Sequence, residues 1–334
     1  MKAVGFHAPS SIDTPNALVD LDLPKPSPTG RDLLVAVQAV SVNPVDVKVR
    51  ASRAPADGQA EVIGWDAAGV VEAVGPEVTL FKVGDPVFYA GAINRPGSNA
   101  QFQLVDERIV GRRPSSLSVA EAAALPLTAI TAWELLFDRL GATKDATGSL
   151  LVVGGSGGVG SILIQLARQL TGLTVIATAS RPETREWCLQ LGAHHVVDHS
   201  GDLVAQIGAL DVPPVGLIAS LTNTADHFPA LVEIVAPQGR IGVIDDPKTL
   251  DVVPLKRKAV SLHWELMFTR ALFQTPDMIR QHELLNAVSE LIDGGRLKTT
   301  LTEVLTPINA ANLIKAHAAI ESGRTRGKIV LDGF

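Results

Sequence analysis

The stretch Leu150-Leu-Val-Val-Gly-Gly-Ser-Gly-Gly-Val-Gly-Ser161 places an apolar run directly before a glycine-dense turn, and an amphipathic run, Ile162 to Leu170, follows. This order predicts a strand, a tight turn and a helix. The glycines have the G-x-G-x-x-G spacing: the first permits the turn, the second lets backbone approach a pyrophosphate, and the third lets helix and strand pack closely. Since a helix N-terminus offers N–H groups to an anion, a dinucleotide site is predicted at Gly155, Ser156, Gly157, Gly158, Val159 and Gly160. A merely flexible glycine turn is the alternative.

Composition narrows the class of protein. The chain has 334 residues, of which 46% are hydrophobic and 19% charged, so it can bury a large core and is expected to form two domains. The net charge of −6, without a basic run, argues against nucleic-acid binding. A lone cysteine, Cys188, excludes an intramolecular disulfide and a cysteine-cage metal site. No run of roughly 20 apolar residues is present, so we expect a cytoplasmic protein without a membrane span.

The pattern of the chain changes along its length. From Met1 to about Val110, short β-branched runs broken by Pro and Gly predict a β-rich region. Ser118 and Glu121 then have capping-box spacing, and a helix is expected over Ala129 to Leu140. After the glycine turn, strands and helices alternate, which predicts a doubly wound parallel sheet of the Rossmann type in an α/β protein. The predicted domains are 1–122 with 262–334, and 123–261.

Several local motifs resemble one known superfamily over essentially the full chain. Together they are similar to the medium-chain dehydrogenase/reductase superfamily, and most of all to the zeta-crystallin-type NADPH:quinone oxidoreductases. The segments 245–247 and 263–268 resemble a bacterial branch called zinc-type alcohol dehydrogenase-like. The resemblance implies a β-rich GroES-like domain, a Rossmann domain and a homodimer. It rests on the glycine turn and on Ser41–Asp46, Gly64–Val71, Val83–Phe88, Ala122–Trp133 and Arg326–Leu331.

The zinc ligands of the superfamily have no equivalents here. Zinc members carry a cysteine where this chain has Asn43, a Gly-His-Glu where it has Gly64-Trp65-Asp66, and a further Cys or Asp near Leu127. A tetrahedral zinc site favours thiolate and neutral imidazole, which these positions do not supply. We therefore expect no catalytic zinc.

The end of the second strand of the predicted Rossmann unit indicates the cofactor. An acidic residue about 20 positions beyond the glycines selects NAD, but Ser180 and Arg181 stand there instead. A hydroxyl and a guanidinium fork suit a 2′-phosphate, so NADPH is predicted. Arg185 either joins this clamp or forms an ordinary surface pair with Glu183 or Glu186. Glu183 is the counter-evidence, since a carboxylate so close to the site can contact a ribose.

The resemblance also assigns residues to the cofactor and to its substrate. It places cofactor contacts at Thr128, Leu221, Thr222, Ile244, Asp245 and Lys328. In addition, Trp65, which stands at the histidine ligand position, is expected to form a wall of the acceptor pocket with Met267 and Phe268.

Without a metal, the chemistry must tolerate charge on the acceptor oxygen. A quinone or an α,β-unsaturated carbonyl spreads that charge by conjugation, so such an acceptor is predicted. The candidate catalytic residues are Asn43 as an amide donor, Asp46 as a group that orients its neighbours, and Tyr89 as a proton donor, with Lys48 as another donor. Two alternatives stay open: a zinc-type alcohol, aldehyde or ketone dehydrogenase, and a catalytically weak NADPH-binding protein.

Overall fold

The computed structural model describes residues 1–56 and 58–334. The chain divides into two compact units, Met1–Leu127 with Phe268–Phe334, and Thr128–Met267. The strands, β1 to β16 in chain order, are Lys2–Phe6, Val19–Asp22, Asp32–Ser41, Glu61–Val62, Asp66–Val74, Pro86–Tyr89, Phe102–Asp106, Val110–Arg112, Ser149–Val153, Thr174–Thr178, His195–Val197, Val215–Ser220, Arg240–Val243, Ser261–Trp264, Leu301–Leu305 and Lys328–Asp332.

Helices in the described residues are mostly short. The α-helices, α1 to α10, are Pro44–Ser52, Val119–Ala123, Pro126–Trp133, Gly158–Leu170, Pro182–Gln190, Leu203–Gly208, Thr224–Ile234, Thr269–Phe273, Arg280–Asp293 and Ala310–Glu321. The helix predicted over Ala129 to Leu140 is present, but from Glu134 to Arg139 it is a π-helix. The predicted capping box is confirmed, since Ser118 and Glu121 exchange hydrogen bonds at the start of α2.

The first unit is built around antiparallel strands. A seven-stranded sheet runs in the order β15-β16-β3-β5-β6-β8, with β7 also paired to β3, and a smaller sheet has the order β2-β1-β4. The tail returns to this unit as predicted, because β16 pairs with β3 through Val330 and Ser41. That pairing brings Lys328, at the start of β16, close to the end of β3.

The second unit is a parallel sheet of six strands in the order β11-β10-β9-β12-β13-β14. Strand β9 is fully buried, and α4 and α7 contact the sheet. This is the strand order of a doubly wound dinucleotide-binding sheet, so the predicted fold class is confirmed. Strand β14 was not predicted, and the proposed boundary between residues 261 and 262 falls inside it.

One long apolar helical segment departs from the sequence expectation. Val119–Arg139 is long and apolar enough to cross a membrane by length and composition alone. However, 78% of its most apolar window is buried inside the protein. Such burial is typical of a core helix. A core helix is apolar on every side because the protein surrounds it, so its composition resembles that of a membrane span.

Candidate functional site

The glycine turn follows β9 and is tied to the neighbouring strand β10. Gly154 has a φ of +83°, and its N–H donates to the Thr178 hydroxyl at 3.0 Å, while Gly155 N–H donates to the Thr178 carbonyl at 3.1 Å. The motif spacing predicts the tight turn at Gly155. In the structure the left-handed residue is Gly154. The sequence signal for this turn is therefore the pair of adjacent glycines, Gly154 and Gly155.

Gly155 and Gly160 allow close packing of the turn on its surroundings. A Cβ on Gly155 would lie 2.8 Å from the Ala177 Cβ and 3.1 Å from the Cys188 Sγ, and one on Gly160 would lie 2.4 Å from the Gly154 carbonyl oxygen. Burial raises the pKa of the Cys188 thiol to about 12, so this side chain is a packing element. Both positions therefore require glycine for steric reasons.

The start of α4 has the properties of an anion cradle. Its N-cap is Gly157, which has no side chain to satisfy the first N–H groups of the helix. A Cβ on Gly157 would meet only the Gly154 carbonyl oxygen, at 3.5 Å, so this face of the turn is uncrowded. Ser156, Gly158 and Val159 are partly exposed beside it. A dinucleotide pyrophosphate fits such a site, because the helix N-terminus carries both donors and partial positive charge.

The end of β10 presents a hydroxyl and a guanidinium, as predicted. Ser180 is exposed, and Arg181 is the N-cap of α5, with its Nε 3.2 Å from a Glu183 carboxylate oxygen. Arg185 forms neither predicted surface pair. Its guanidinium donates to the carbonyl oxygens of Ala179, at 3.3 Å, and Val196, at 2.8 Å, and so joins the carboxyl ends of β10 and β11.

Other predicted cofactor residues lie at the carboxyl ends of neighbouring strands. Thr222 approaches Gly154, since a Cβ on that glycine would lie 2.9 Å from the Thr222 Cγ2. The Leu221 N–H donates to Val153 O and the Ile244 N–H donates to Ser220 O. Leu221 and Thr222 thus lie beside the glycine turn, and Ile244 directly follows strand β13 at the same edge of the parallel sheet.

Asp245 contacts the start of a helix, and Thr128 is buried within one. The Asp245 carboxylate accepts from both the backbone N–H, at 2.9 Å, and the hydroxyl of Thr224, at the start of α7. This contact holds the first turn of α7. The cofactor contact that the resemblance places at Asp245 stays a prediction. Thr128 is 2% exposed and lies within helix α3.

The first unit contains a buried polar cluster at the positions where zinc members carry ligands. The Lys328 ammonium donates to Val42 O at 3.0 Å, to the Asp66 carboxylate at 3.0 Å and to the Asn43 amide oxygen. The other Asp66 oxygen accepts from the Leu127 N–H at 2.7 Å. An ammonium has three N–H donors, and these contacts use all of them. The structure therefore places the Lys328 ammonium within this cluster, whereas the resemblance places Lys328 at the phosphates or ribose of the cofactor.

The Asn43 side chain likewise forms its hydrogen bonds within the cluster. Its amide nitrogen donates to Asp66 at 2.8 Å and to Ser41 O at 3.3 Å, which uses both amide protons. The predicted donation from Asn43 to an acceptor oxygen is thus replaced by contacts that hold Asp66. The sequence identified Asn43 and Asp66 separately but missed that Lys328 joins them.

Asp46 bonds the backbone at the start of α1, as expected for a residue that orients its neighbours. Its carboxylate accepts from the Asn43 N–H at 2.7 Å. Burial raises the pKa of Asp46 to about 7, against the opposing effects of this hydrogen bond and of Lys328. Burial of the Asp46 carboxyl thus disfavours its charged form.

Tyr89 and Trp65 are interior residues of the first unit. Tyr89 lies in β6 and is 0% exposed, and burial strongly raises its pKa, so it does not face a cleft as a proton donor must. Trp65 is also fully buried. Its ring packs edge to face on Phe268 at 6.0 Å, and its Nε1 donates to Ala92 O at 3.2 Å. Trp65 and Phe268 are thus in contact, and Met267 is a buried residue of the second unit. The acceptor-pocket wall assigned to these three residues stays a prediction.

The residues at the zinc position do not fit a metal site. Both Asp66 oxygens, both Asn43 amide protons and the Trp65 Nε1 already have partners within the protein. Within residues 1–56 and 58–334, no group of three or more His, Cys, Asp or Glu side chains is placed to hold a metal ion. The donor set is that of a buried ion pair rather than that of a tetrahedral zinc site.

Comparison with known proteins identifies the family. A zinc-type alcohol dehydrogenase-like protein of Staphylococcus aureus (strain MSSA476) is 42% identical to this chain over 340 residues, which cover 99% of the chain and 100% of the relative. The chain belongs to the medium-chain dehydrogenase/reductase superfamily. Family models match accordingly: the alcohol dehydrogenase GroES-like domain covers residues 29–126, and the zinc-binding dehydrogenase family covers residues 191–331.

Two further members of the superfamily are informative. A solved structure from Rhizobium etli CFN 42, a candidate zinc-dependent alcohol dehydrogenase, has 60% identity and a TM-score of 0.98, and the match covers 100% of this chain and 98% of that one. A 2-methylene-furan-3-one reductase of Solanum lycopersicum is 29% identical over 99% of this chain and 79% of the relative. The protein is therefore an oxidoreductase of the medium-chain superfamily with a GroES-like unit and a Rossmann unit.

Proposed function

We propose that the protein is an NADPH-dependent reductase of quinones or α,β-unsaturated carbonyls. The observation that carries this proposal is the state of Asp66, whose carboxylate is neutralised by Lys328 and held by Asn43 and Leu127. The cluster that replaces the zinc ligands is thus satisfied internally. A conjugated acceptor suits such a site, because its own π-system delocalises the charge that a simple ketone leaves on one oxygen.

The cofactor side of the proposal rests on the second unit. The N–H groups at the start of α4, near Gly157 and Gly158, would hold the pyrophosphate, while Ser180 and Arg181 would bind the 2′-phosphate. When bound, a reduced nicotinamide supplies the hydride. The chain's own contribution is to bind and orient its ligands and to keep Asp66 neutralised.

The acceptor class is supported by chemistry and by one relative. The name 2-methylene-furan-3-one reductase describes a methylene conjugated with a ketone, which is an activated alkene. Because Asn43 and Tyr89 are occupied or buried, we assign protonation of the reduced acceptor to water. Quinols and enols exchange protons with water without a dedicated acid.

Turnover by metal-stripped protein tests the proposed function. We expect oxidation of NADPH with phenanthrenequinone or a simple enone at a rate that exhaustive chelation leaves unchanged. Reduction of an aldehyde only after zinc is restored would instead show a zinc-type alcohol dehydrogenase. Tight NADPH binding without turnover of any acceptor would show a catalytically weak binding protein.

Arg181 provides a direct test of the cofactor assignment. We expect Arg181→Gln to weaken NADPH binding by about 10- to 100-fold, because a hydrogen bond to a charged group contributes roughly 1.5–3 kcal/mol. NADH has no 2′-phosphate, so its affinity should change little and serves as the internal control. Titration calorimetry with both nucleotides measures the difference, and equal losses for the two would contradict the assignment.

A further inference from the structure

Glu183 lies where it competes with a phosphate for Arg181. The Glu183 carboxylate is 3.2 Å from the Arg181 Nε, and the two side chains are 55% and 39% exposed. We propose that Glu183 determines nucleotide specificity. Its carboxylate binds the Arg181 guanidinium in place of a 2′-phosphate, and this lowers the ratio of NADPH affinity to NADH affinity. The inference rests on the proposed function, since it concerns the same nucleotide site.

Local geometry keeps Glu183 in this position. Arg181 is the N-cap of α5 and Pro182 is its first helical residue, so Glu183 falls in the first turn. Side chains in a helix lean toward its N-terminus, which directs the Glu183 carboxylate back to Arg181. A carboxylate there is also favoured by the helix dipole.

The other two charged residues near this turn, Arg185 and Glu186, form hydrogen bonds to groups other than Arg181. Arg185 donates to the Ala179 and Val196 carbonyl oxygens, and Glu186 accepts from the Gln190 side chain at 2.9 Å. Of these two acidic side chains, Glu183 is the one paired with Arg181. The hydrogen bonds of Arg185 hold together the strand ends from which Ser180 and Arg181 project.

Binding of a 2′-phosphate must displace or tolerate this carboxylate. The exposed pair itself contributes only about 0.2–1 kcal/mol, but the phosphate brings nearly two negative charges close to Glu183. Like charges a few ångströms apart near a surface repel by an amount of the same order or larger. A 2′-hydroxyl has no such conflict and can donate to the carboxylate, so Glu183 should weaken NADPH without weakening NADH.

Calorimetry with nucleotide fragments isolates this effect without any turnover. The probes are 2′,5′-ADP, which carries the 2′-phosphate, and 5′-AMP, which lacks it. We expect Glu183→Gln to bind 2′,5′-ADP about 3- to 10-fold more tightly than the wild type and 5′-AMP with unchanged or weaker affinity, and we expect salt to reduce the gain. Glu186→Gln removes the same charge from the same helix and should leave both affinities within about twofold.

Two failures are distinguishable. If the wild type binds 2′,5′-ADP no more tightly than 5′-AMP, the assignment of NADPH under the proposed function is wrong. If it discriminates but Glu183→Gln shows no gain, or Glu186→Gln shows an equal gain, Glu183 does not compete for Arg181. Thermal unfolding of each variant checks that α5 is intact, and Glu183→Ala provides a second substitution with the same expected gain.

Discussion

Replacing Gly160 with alanine is expected to lower the free energy of unfolding by about 1–3 kcal/mol and to abolish nucleotide binding. The added Cβ would lie 2.4 Å from the Gly154 carbonyl oxygen and 2.7 Å from the Gly155 Cα. These are backbone atoms of the turn, so they cannot rotate aside as a flexible side chain would. Relief requires α4 to move away from β9, which displaces the N–H groups that form the cradle.

Two other glycines serve as controls for this substitution. Gly208 is the last residue of α6, and a Cβ there would meet nothing within 4 Å. We therefore expect Gly208→Ala to unfold at the same urea concentration as the wild type or at a slightly higher one. Gly157→Ala would meet only the Gly154 carbonyl oxygen, at 3.5 Å, so it should fold but bind nucleotide more weakly. Urea unfolding and calorimetry give both quantities. Equal stability of Gly160→Ala and Gly208→Ala would show that the turn is not close-packed.

The sequence predicts the second unit well because its signals are local. The apolar run before the glycines is observed as β9, and the predicted alternation after them is observed as strands β10 to β13 with helices α5 to α7 between them. Strand β14 is not predicted from the sequence because Ser261–Trp264 is short and contains a serine and a histidine. Two of its four residues are exposed. A strand at the edge of a sheet carries a weaker hydrophobic pattern than a central one.

The candidate site in the first unit was predictable only in part. Asn43 and Asp46 lie on one short segment, so their contact follows from the start of α1. The ion pair between Lys328 and Asp66 joins residues 262 positions apart, and it depends on the pairing of β16 with β3. Periodicity carries no information about such pairing, and the family resemblance places Lys328 at the cofactor instead. Burial of Tyr89 likewise depends on tertiary structure, since β6 lies between β5 and β8 in the sheet.

The largest effect on stability is expected from Lys328→Met. Asp66 is fully buried, and the Lys328 ammonium is the charge that compensates it. Removing one partner of a buried ion pair leaves an uncompensated charge in the interior, which typically costs about 3–5 kcal/mol. We expect a loss of this size in urea unfolding at neutral pH.

The matched variants separate charge from packing. Lys315→Met removes an exposed lysine of α10, whose ammonium contacts the Asn312 side chain, and should change stability by less than about 0.5 kcal/mol. The double variant Asp66→Asn with Lys328→Met removes both charges and should recover most of the loss. If Lys328→Met costs no more than Lys315→Met, the ion pair is not what neutralises Asp66. If instead the ammonium has that role, chelators should leave the unfolding of the wild type unchanged, because a side chain of the protein supplies the cation of this cluster.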